Sequence, residues 1–241
     1  PVPACSAVAV YADHQPTLNR ACELAHILGE ASLRDRLIAF PAAAQQPTLL
    51  SCEIAARFFS DAFIAELLDE TTQGRREHAA VLWQALRQIG VNLLHLPFRF
   101  ELSERLHEER KKGYLSVRDL NALTNSVWET YFADTVRGSD QYVWAAKMHF
   151  YMPREPHYDW QYTAGYLIAA VLRRRLLSEG RTACGAAFGD FLADCATLDC
   201  DALLRRHLDA DPASDAFWRD ALAEALKPLR DADHHVQAFL A

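Results

Sequence analysis

Apolar side chains recur at helical spacing along most of this chain, and proline or glycine separates one run from the next. In the first run Leu18, Cys22, Ala25 and Gly29 lie three or four residues apart, and Pro41 ends the pattern. Runs of this kind are typical of helices that pack around a shared core. The predicted helices cover residues 16–39, 47–70, 75–96, 98–112, 117–134, 160–177, 185–192, 201–208 and 214–240. The sequence predicts an all-α fold in a single domain, residues 1–241, with at most one short strand within residues 1–11.

Length and composition narrow the class of protein. The chain has 241 residues and 51% hydrophobic content, which is enough for the core of one large domain. Its net charge of −7, without a cluster of basic residues, argues against a nucleic-acid partner. The longest apolar run, near residues 164–172, is shorter than the roughly 20 residues that span a bilayer, so no membrane segment is expected. Six cysteines without a C-x-x-C pair or a recognisable signal peptide predict reduced thiols and a cytoplasmic protein.

Three polar residues of the first predicted helix fall on one face. Glu23, His26 and Glu30 are three, four or seven residues apart, so their side chains project in the same direction. Glu53, near the start of the second predicted helix, can add a carboxylate from a neighbouring helix. Imidazole and carboxylate groups are common metal ligands. The spacing therefore predicts a metal-binding stripe on this face.

A long segment between two predicted helices, residues 137–159, contains glycine and proline together with many aromatic residues. Its rings include Trp144, His149, Phe150, Tyr151, His157 and Tyr158. Long connections with such side chains often carry binding groups, so the segment is predicted to contribute to a site. His157 is either an additional metal ligand or a surface histidine.

Several short motifs resemble those of the thimet-type oligopeptidases, and most closely those of the oligoendopeptidase F branch. Residues 24–31, Leu-Ala-His-Ile-Leu-Gly-Glu-Ala, resemble the L-A-H-E-L-G-H-A zinc motif of that branch. Residues 52–55 resemble its A-E-I-A segment, which carries the third zinc ligand. Further similar segments follow in the same order: Phe98–Glu101, Leu106–Glu108, Gly113 with Leu115 and Leu120, His149–Tyr151, and Tyr158 with Gln161–Tyr166. Together these matches span nearly the whole chain.

The resemblance implies a helical, metallopeptidase-like catalytic domain that acts on peptides or peptide-like small substrates. It assigns the metal ligands to His26, Glu30 and Glu53. It also assigns three residues to the wall of the site, where imidazole and phenol donors stabilise the oxyanion of the attacked carbonyl: His149, Tyr158 and Tyr166. Zinc is the cofactor that the family uses, whereas one histidine with two carboxylates also suits Fe or Mn.

Two features depart from the family pattern. Ile27 stands where the family has the glutamate that takes a proton from the attacking water, and Glu30 replaces the second histidine. An aliphatic side chain accepts no proton, so ordinary peptide hydrolysis should lose the roughly 10²–10⁴-fold that general base catalysis supplies. Family members also have an N-terminal lobe that has no counterpart here. Either a partner subunit or a second copy is then expected to cover the site, or the site is open, unless the chain is a fragment of a longer protein.

Other metal sites are compatible with the same residues. In a frame-shifted motif, Cys22 takes the place of the first histidine and His26 that of the second. Alternatively, Glu23-x-x-His26 and Glu104-x-x-His107 each supply half of a di-iron site in a helix bundle. The flanking letters favour the oligopeptidase register over both.

Two functions from different classes follow. The first is a metal-dependent enzyme that hydrolyses peptides slowly or catalyses another reaction. The second is a catalytically inactive pseudo-peptidase that binds peptides or joins a complex, because Ile27 cannot act as a base. The survival of three potential ligands favours the first function. Metal analysis and turnover of a peptide separate the two.

Overall fold

In the computed structural model, the residues described are 7–13, 15–72, 75–152 and 157–240, and their regular structure is entirely helical. The all-α prediction is therefore confirmed. Residues 7–11 form no strand, and residues 1–6 of the predicted strand segment lie outside the described residues. Within the described part of the chain, no helix has the length and apolar character needed to cross a membrane. The helices are α1 Leu18–Leu37, α2 Leu49–Glu70, α3 Arg76–Gly90, α4 Leu96–Lys112, α5 Val117–Phe132, α6 Val143–Ala146, α7 Trp160–Leu177, α8 Arg181–Asp194, α9 Cys200–Leu208, α10 Asp215–Ala225 and α11 Lys227–Leu240.

Local sequence explains where several helices begin and end. The Thr17 hydroxyl accepts the Arg20 N–H at the start of α1, which satisfies one of the amides left free there. Ser116 and Asp119 form a reciprocal capping box at the start of α5. Gly180 has a φ of 94°, a conformation that favours glycine, and it separates α7 from α8. Helix α8 begins directly after it, earlier than the predicted residue 185.

Pro97 is expected to bend or end the third predicted helix, and in the structure the helix changes type there without ending. Helix α3 continues through a π-helical turn, Val91–His95, into α4, whose first turn contains Pro97. In a π turn each N–H bonds the carbonyl five residues back, and proline has no N–H to offer to Asn92. The Thr163 hydroxyl donates to the Asn92 carbonyl oxygen instead, at 2.7 Å. The helical path therefore survives the proline.

The chain divides into two compact units, one formed by Pro1–Arg87 with Ala164–Ala241 and the other by Gln88–Thr163. The core of the first unit is shared by six helices, α1, α2 and α7 to α10, and includes Leu33, Ile54, Leu172, Phe191 and Leu204. Phe58 of α2 stacks on Phe188 of α8 with ring centroids 3.9 Å apart. This core packs α1 and α2, the helices with the predicted metal ligands, against each other.

The second unit has an apolar core of its own. Its buried side chains come from α4, α5 and α6 and include Phe98, Leu102, Val127 and Val143. The ring of Trp128 meets Phe98 edge to face, with centroids 5.3 Å apart. The segment predicted as a loop, 137–159, contains α6 and a 3₁₀ turn, Met148–Tyr151. Val143, which is fully buried, packs α6 into the core of this unit.

Candidate metal centre

Three of the predicted site residues come together in the first unit. His26, Glu30 and Glu53 each offer one ligand atom, and these three atoms lie within 4.8 Å of one another. Among the described residues, no other three His, Cys, Asp or Glu side chains meet this spacing. His26 Nε2 is 3.5 Å from Glu30 Oε1, as expected for residues one helical turn apart. Glu53 comes from α2. The site therefore combines a local pair on α1 with one carboxylate from another helix.

Two glycines permit the close approach of the helices around Glu53. A β-carbon on Gly29 would meet the Ala55 carbonyl oxygen and lie 2.7 Å from the Ala56 Cα, so α1 touches the backbone of α2. A β-carbon on Gly165 of α7 would lie 2.7 Å from the Glu53 Cβ. Both distances are well below van der Waals contact. The segment of α2 that carries Glu53 is therefore in close contact with both α1 and α7.

The two carboxylates have different electrostatic environments. Glu30 is half-buried, and hydrogen bonding from His26 lowers its pKa below the ordinary value. Glu53 is 4% exposed, and burial raises its pKa although the positive charge of Arg57 opposes the shift. The Arg57 Nε lies 3.6 Å from Glu53 Oε2. Ionised Glu53 is thus stabilised only in part by its neighbours.

The donor set fits a divalent cation. Within the described residues, Glu53 Oε2 is buried without a hydrogen-bond partner, which is costly for a carboxylate oxygen. A cation among His26, Glu30 and Glu53 would favour ionised Glu53 and offset the two negative charges. One imidazole with two carboxylates is a set that Zn, Fe and Mn accept.

Further charged residues near the site were not identified in the sequence. Arg57 and Asp61 follow Glu53 at four-residue intervals on α2, and Arg173 of α7 adds a second positive charge. Burial raises the pKa of Asp61 to about 6, against the opposing effect of Arg57 and Arg173. Charges at positions i, i+4 and i+8 in the otherwise uncharged stretch 49–65 of α2 are the signal that would have indicated them. They add charged groups around the site.

Tyr166 lies on α7 in the same unit as the candidate ligands. It is 4% exposed, and burial, followed by the charge of Asp61, raises the pKa of its phenol. Its hydroxyl is therefore neutral at ordinary pH and can act only as a neutral donor or acceptor. The role that the resemblance implies for Tyr166 stays a prediction.

The residues of the two alternative metal sites make other contacts in the described part of the chain. Glu23 accepts hydrogen bonds from Asn19 and Arg20 on its own helix. Cys22 is buried, and this burial raises the pKa of its thiol, which disfavours the thiolate that binds metal. Glu104, of the predicted di-iron pair, lies 2.7 Å from His157 Nδ1.

His149 and Tyr158, the other two predicted site residues, are neighbours in the second unit. Their ring centroids are 5.1 Å apart, and Tyr162 meets the His149 ring edge to face at 6.2 Å. His149 also lines a cavity of about 290 Å³ with His107, His157 and Phe150. The predicted site residues therefore form two groups, one in each compact unit.

No family model, no curated protein and no solved structure matches this chain. The similarity to the oligopeptidases depends on the short motifs within residues 24–31, 52–55, 98–120 and 149–166. Membership of that family stays a prediction.

Proposed function

We propose that this chain is a metal-dependent enzyme on an oligopeptidase-like scaffold. His26, Glu30 and Glu53 hold one divalent cation, and the substrate is a peptide or a peptide-like small molecule. The observation that supports this proposal is the convergence of three ligand groups within 4.8 Å around a buried carboxylate oxygen without a hydrogen bond. Of the three groups, Glu53 is buried and His26 and Glu30 are partly exposed, so a cation held there would still be reachable from solvent.

The proposed chemistry follows from the groups present and the group that is missing. A bound cation supplies Lewis acidity to an oxygen of the substrate. Glu30 and Glu53 contribute negative charge, which favours harder ions such as Mn and Fe more than a site with two histidines does. Ile27 accepts no proton, so hydrolysis proceeds without the usual base, about 10²–10⁴-fold more slowly, or the reaction is one that needs no base there.

The remaining predicted residues are hydrogen-bond donors in this proposal. In the second unit, His149 and Tyr158 offer an imidazole N–H and a phenol O–H to a ligand oxygen that carries negative charge. Tyr166 supplies a neutral phenol beside the ligand helices. A second copy or a partner subunit contributes to substrate enclosure, and exposed Leu24 and Leu28 on α1 give it an apolar surface to contact.

A second candidate function is a peptide-binding or complex-forming subunit without catalysis. Ile27 favours it, because the position of the proton acceptor is aliphatic while the surrounding motif is retained. The change Ile27→Glu separates the two candidates. If the scaffold is catalytic, restoring the carboxylate should raise peptide hydrolysis by about 10²–10⁴-fold. If Ile27→Glu binds metal but gains no activity on a peptide library, the non-catalytic function is preferred.

Metal binding itself is tested by titration of the purified, chelator-free protein with Zn²⁺ and Mn²⁺. The wild type should bind one equivalent per chain and gain about 2.7 kcal/mol in unfolding free energy at a free concentration of 100 Kd. Glu53→Gln should lose both effects. Glu70→Gln, an exposed change on the same helix, is the matched control and should retain them. A wild-type protein that binds neither ion would overturn the proposal.

A further inference from the structure

A buried ion pair of the second unit contacts the imidazole ring of His149. Arg99 of α4 and Asp159 are 6% and 3% exposed, and Arg99 Nη2 lies 2.7 Å from Asp159 Oδ1. The same Arg99 nitrogen is 2.5 Å from His149 Nδ1. One guanidinium group therefore contacts a carboxylate and an imidazole at once.

This contact determines the protonation of the imidazole. A guanidinium group has only N–H donors, so it can approach His149 Nδ1 closely only if that nitrogen offers a lone pair. The ring is then neutral, and its single proton is on Nε2. Burial lowers the pKa of His149, and the charges of Arg99 and Lys147 lower it further, which agrees with a neutral ring.

Asp159 makes the arrangement stable. A buried guanidinium without a counterion is strongly unfavourable, and the Asp159 carboxylate provides the compensating charge. Burial raises the pKa of Asp159, and the charge of Arg99 opposes that shift. Asp159 therefore acts on His149 only through Arg99.

We propose that Arg99 and Asp159 are positioning residues that hold His149 as a fixed Nε2–H donor. The cavity lined by His149 then takes a hydrogen-bond acceptor, the carbonyl or carboxylate oxygen of a peptide-like ligand. This second step rests on the proposed function, whereas the fixed protonation does not. His149 is thereby excluded as a general base and as a metal ligand through Nδ1.

His107 in the same cavity provides an internal reference. Its Nδ1 is 2.7 Å from the Ser103 carbonyl oxygen, which can only accept a hydrogen bond. Neutral His107 therefore carries its proton on Nδ1 and has its lone pair on Nε2. The two histidines should show opposite protonation patterns in one spectrum.

The test is long-range ¹H–¹⁵N correlation of histidine-labelled, metal-free full-length protein, at a pH where both rings are neutral. In the wild type, His149 should show an unprotonated Nδ1 and a protonated Nε2, and His107 the reverse. Arg99→Met should give His149 a mixture of both forms and a higher pKa, whereas Arg99→Lys, which keeps a donor, should restore the wild-type pattern. Asp159→Asn is the second variant if Arg99→Met does not fold. It too should give His149 a mixture of the two protonation forms.

The ligand step is tested by adding N-acetylglycine, which carries both a carbonyl and a carboxylate. The Nε2 proton of His149 should shift in the wild type and not in the variant with mixed protonation. A wild-type His149 with a protonated Nδ1 would overturn the positioning role. A correct pattern without a ligand shift would overturn the acceptor site alone. Neither measurement needs metal, so a failure of metal binding is recognised separately.

Discussion

Gly29 and Gly185 are both helical glycines, yet their replacement by alanine should have opposite effects on stability. At Gly29 the added methyl group would meet the backbone of α2, at 2.7 Å from the Ala56 Cα. Backbone atoms cannot turn aside as a flexible side chain can, so α1 and α2 have to separate. Overpacking of this kind costs about 3 kcal/mol, and the better helix propensity of alanine offsets about 1 kcal/mol of it. We expect Gly29→Ala to lower the free energy of unfolding by about 2 kcal/mol.

Gly185 supplies the matched control because the same substitution meets no obstacle there. It is exposed on α8, and apart from its chain neighbours and the backbone of its own helix, no atom of the described residues lies within 4 Å of the position that its β-carbon would take. Only the helix propensity changes, so Gly185→Ala should raise the free energy of unfolding by about 1 kcal/mol. The two variants, identical in chemistry, should then differ by about 3 kcal/mol.

Thermal unfolding measures this difference directly. In a chain of this length, 1 kcal/mol corresponds to about 2–4 °C in Tm. Gly29→Ala should melt about 4–8 °C below the wild type and Gly185→Ala about 2–4 °C above it. Urea unfolding with unchanged m values would show that both variants unfold from a comparable native state. If Gly29→Ala melts as high as Gly185→Ala, α1 and α2 do not cross in backbone contact, and Glu53 is not held beside His26 in the way described.

Two further predictions concern Asp61 and Ser116. Asp61 has a pKa of about 6 in the folded protein against an ordinary 3.8, so the folded state binds the proton more tightly and loses stability as the pH rises from about 4 to 6. Relative to the wild type, Asp61→Asn should gain up to ~3 kcal/mol between pH 4 and 7 in urea titrations, and a difference independent of pH would contradict this reasoning. Ser116→Ala removes half of the capping box and should cost about 1 kcal/mol, whereas an equal loss in the exposed control Ser126→Ala would exclude capping as the cause.

Several features of the fold were predictable because they depend on neighbouring residues alone. The capping box of Ser116 and Asp119 needs only a three-residue spacing, and it is present. The π turn before Pro97 was not predictable, because it depends on the Thr163 hydroxyl, which is distant in sequence and supplies the missing donor. The charged surroundings of Glu53 were likewise not predictable, because Arg173 comes from another helix.

The sequence by itself determined that the chain is helical and that His26 and Glu30 share one face of α1, because a helix places residues four apart on the same side. Only the tertiary structure decided that Glu53 joins them. That decision depends on Gly29 and Gly165, where the absence of a side chain lets backbones approach. The tertiary structure also decided which nitrogen of His149 carries the proton, since Arg99 of α4 contacts that ring. Local geometry is determined within one turn of a helix, whereas distances between helices depend on packing against residues far away in the chain.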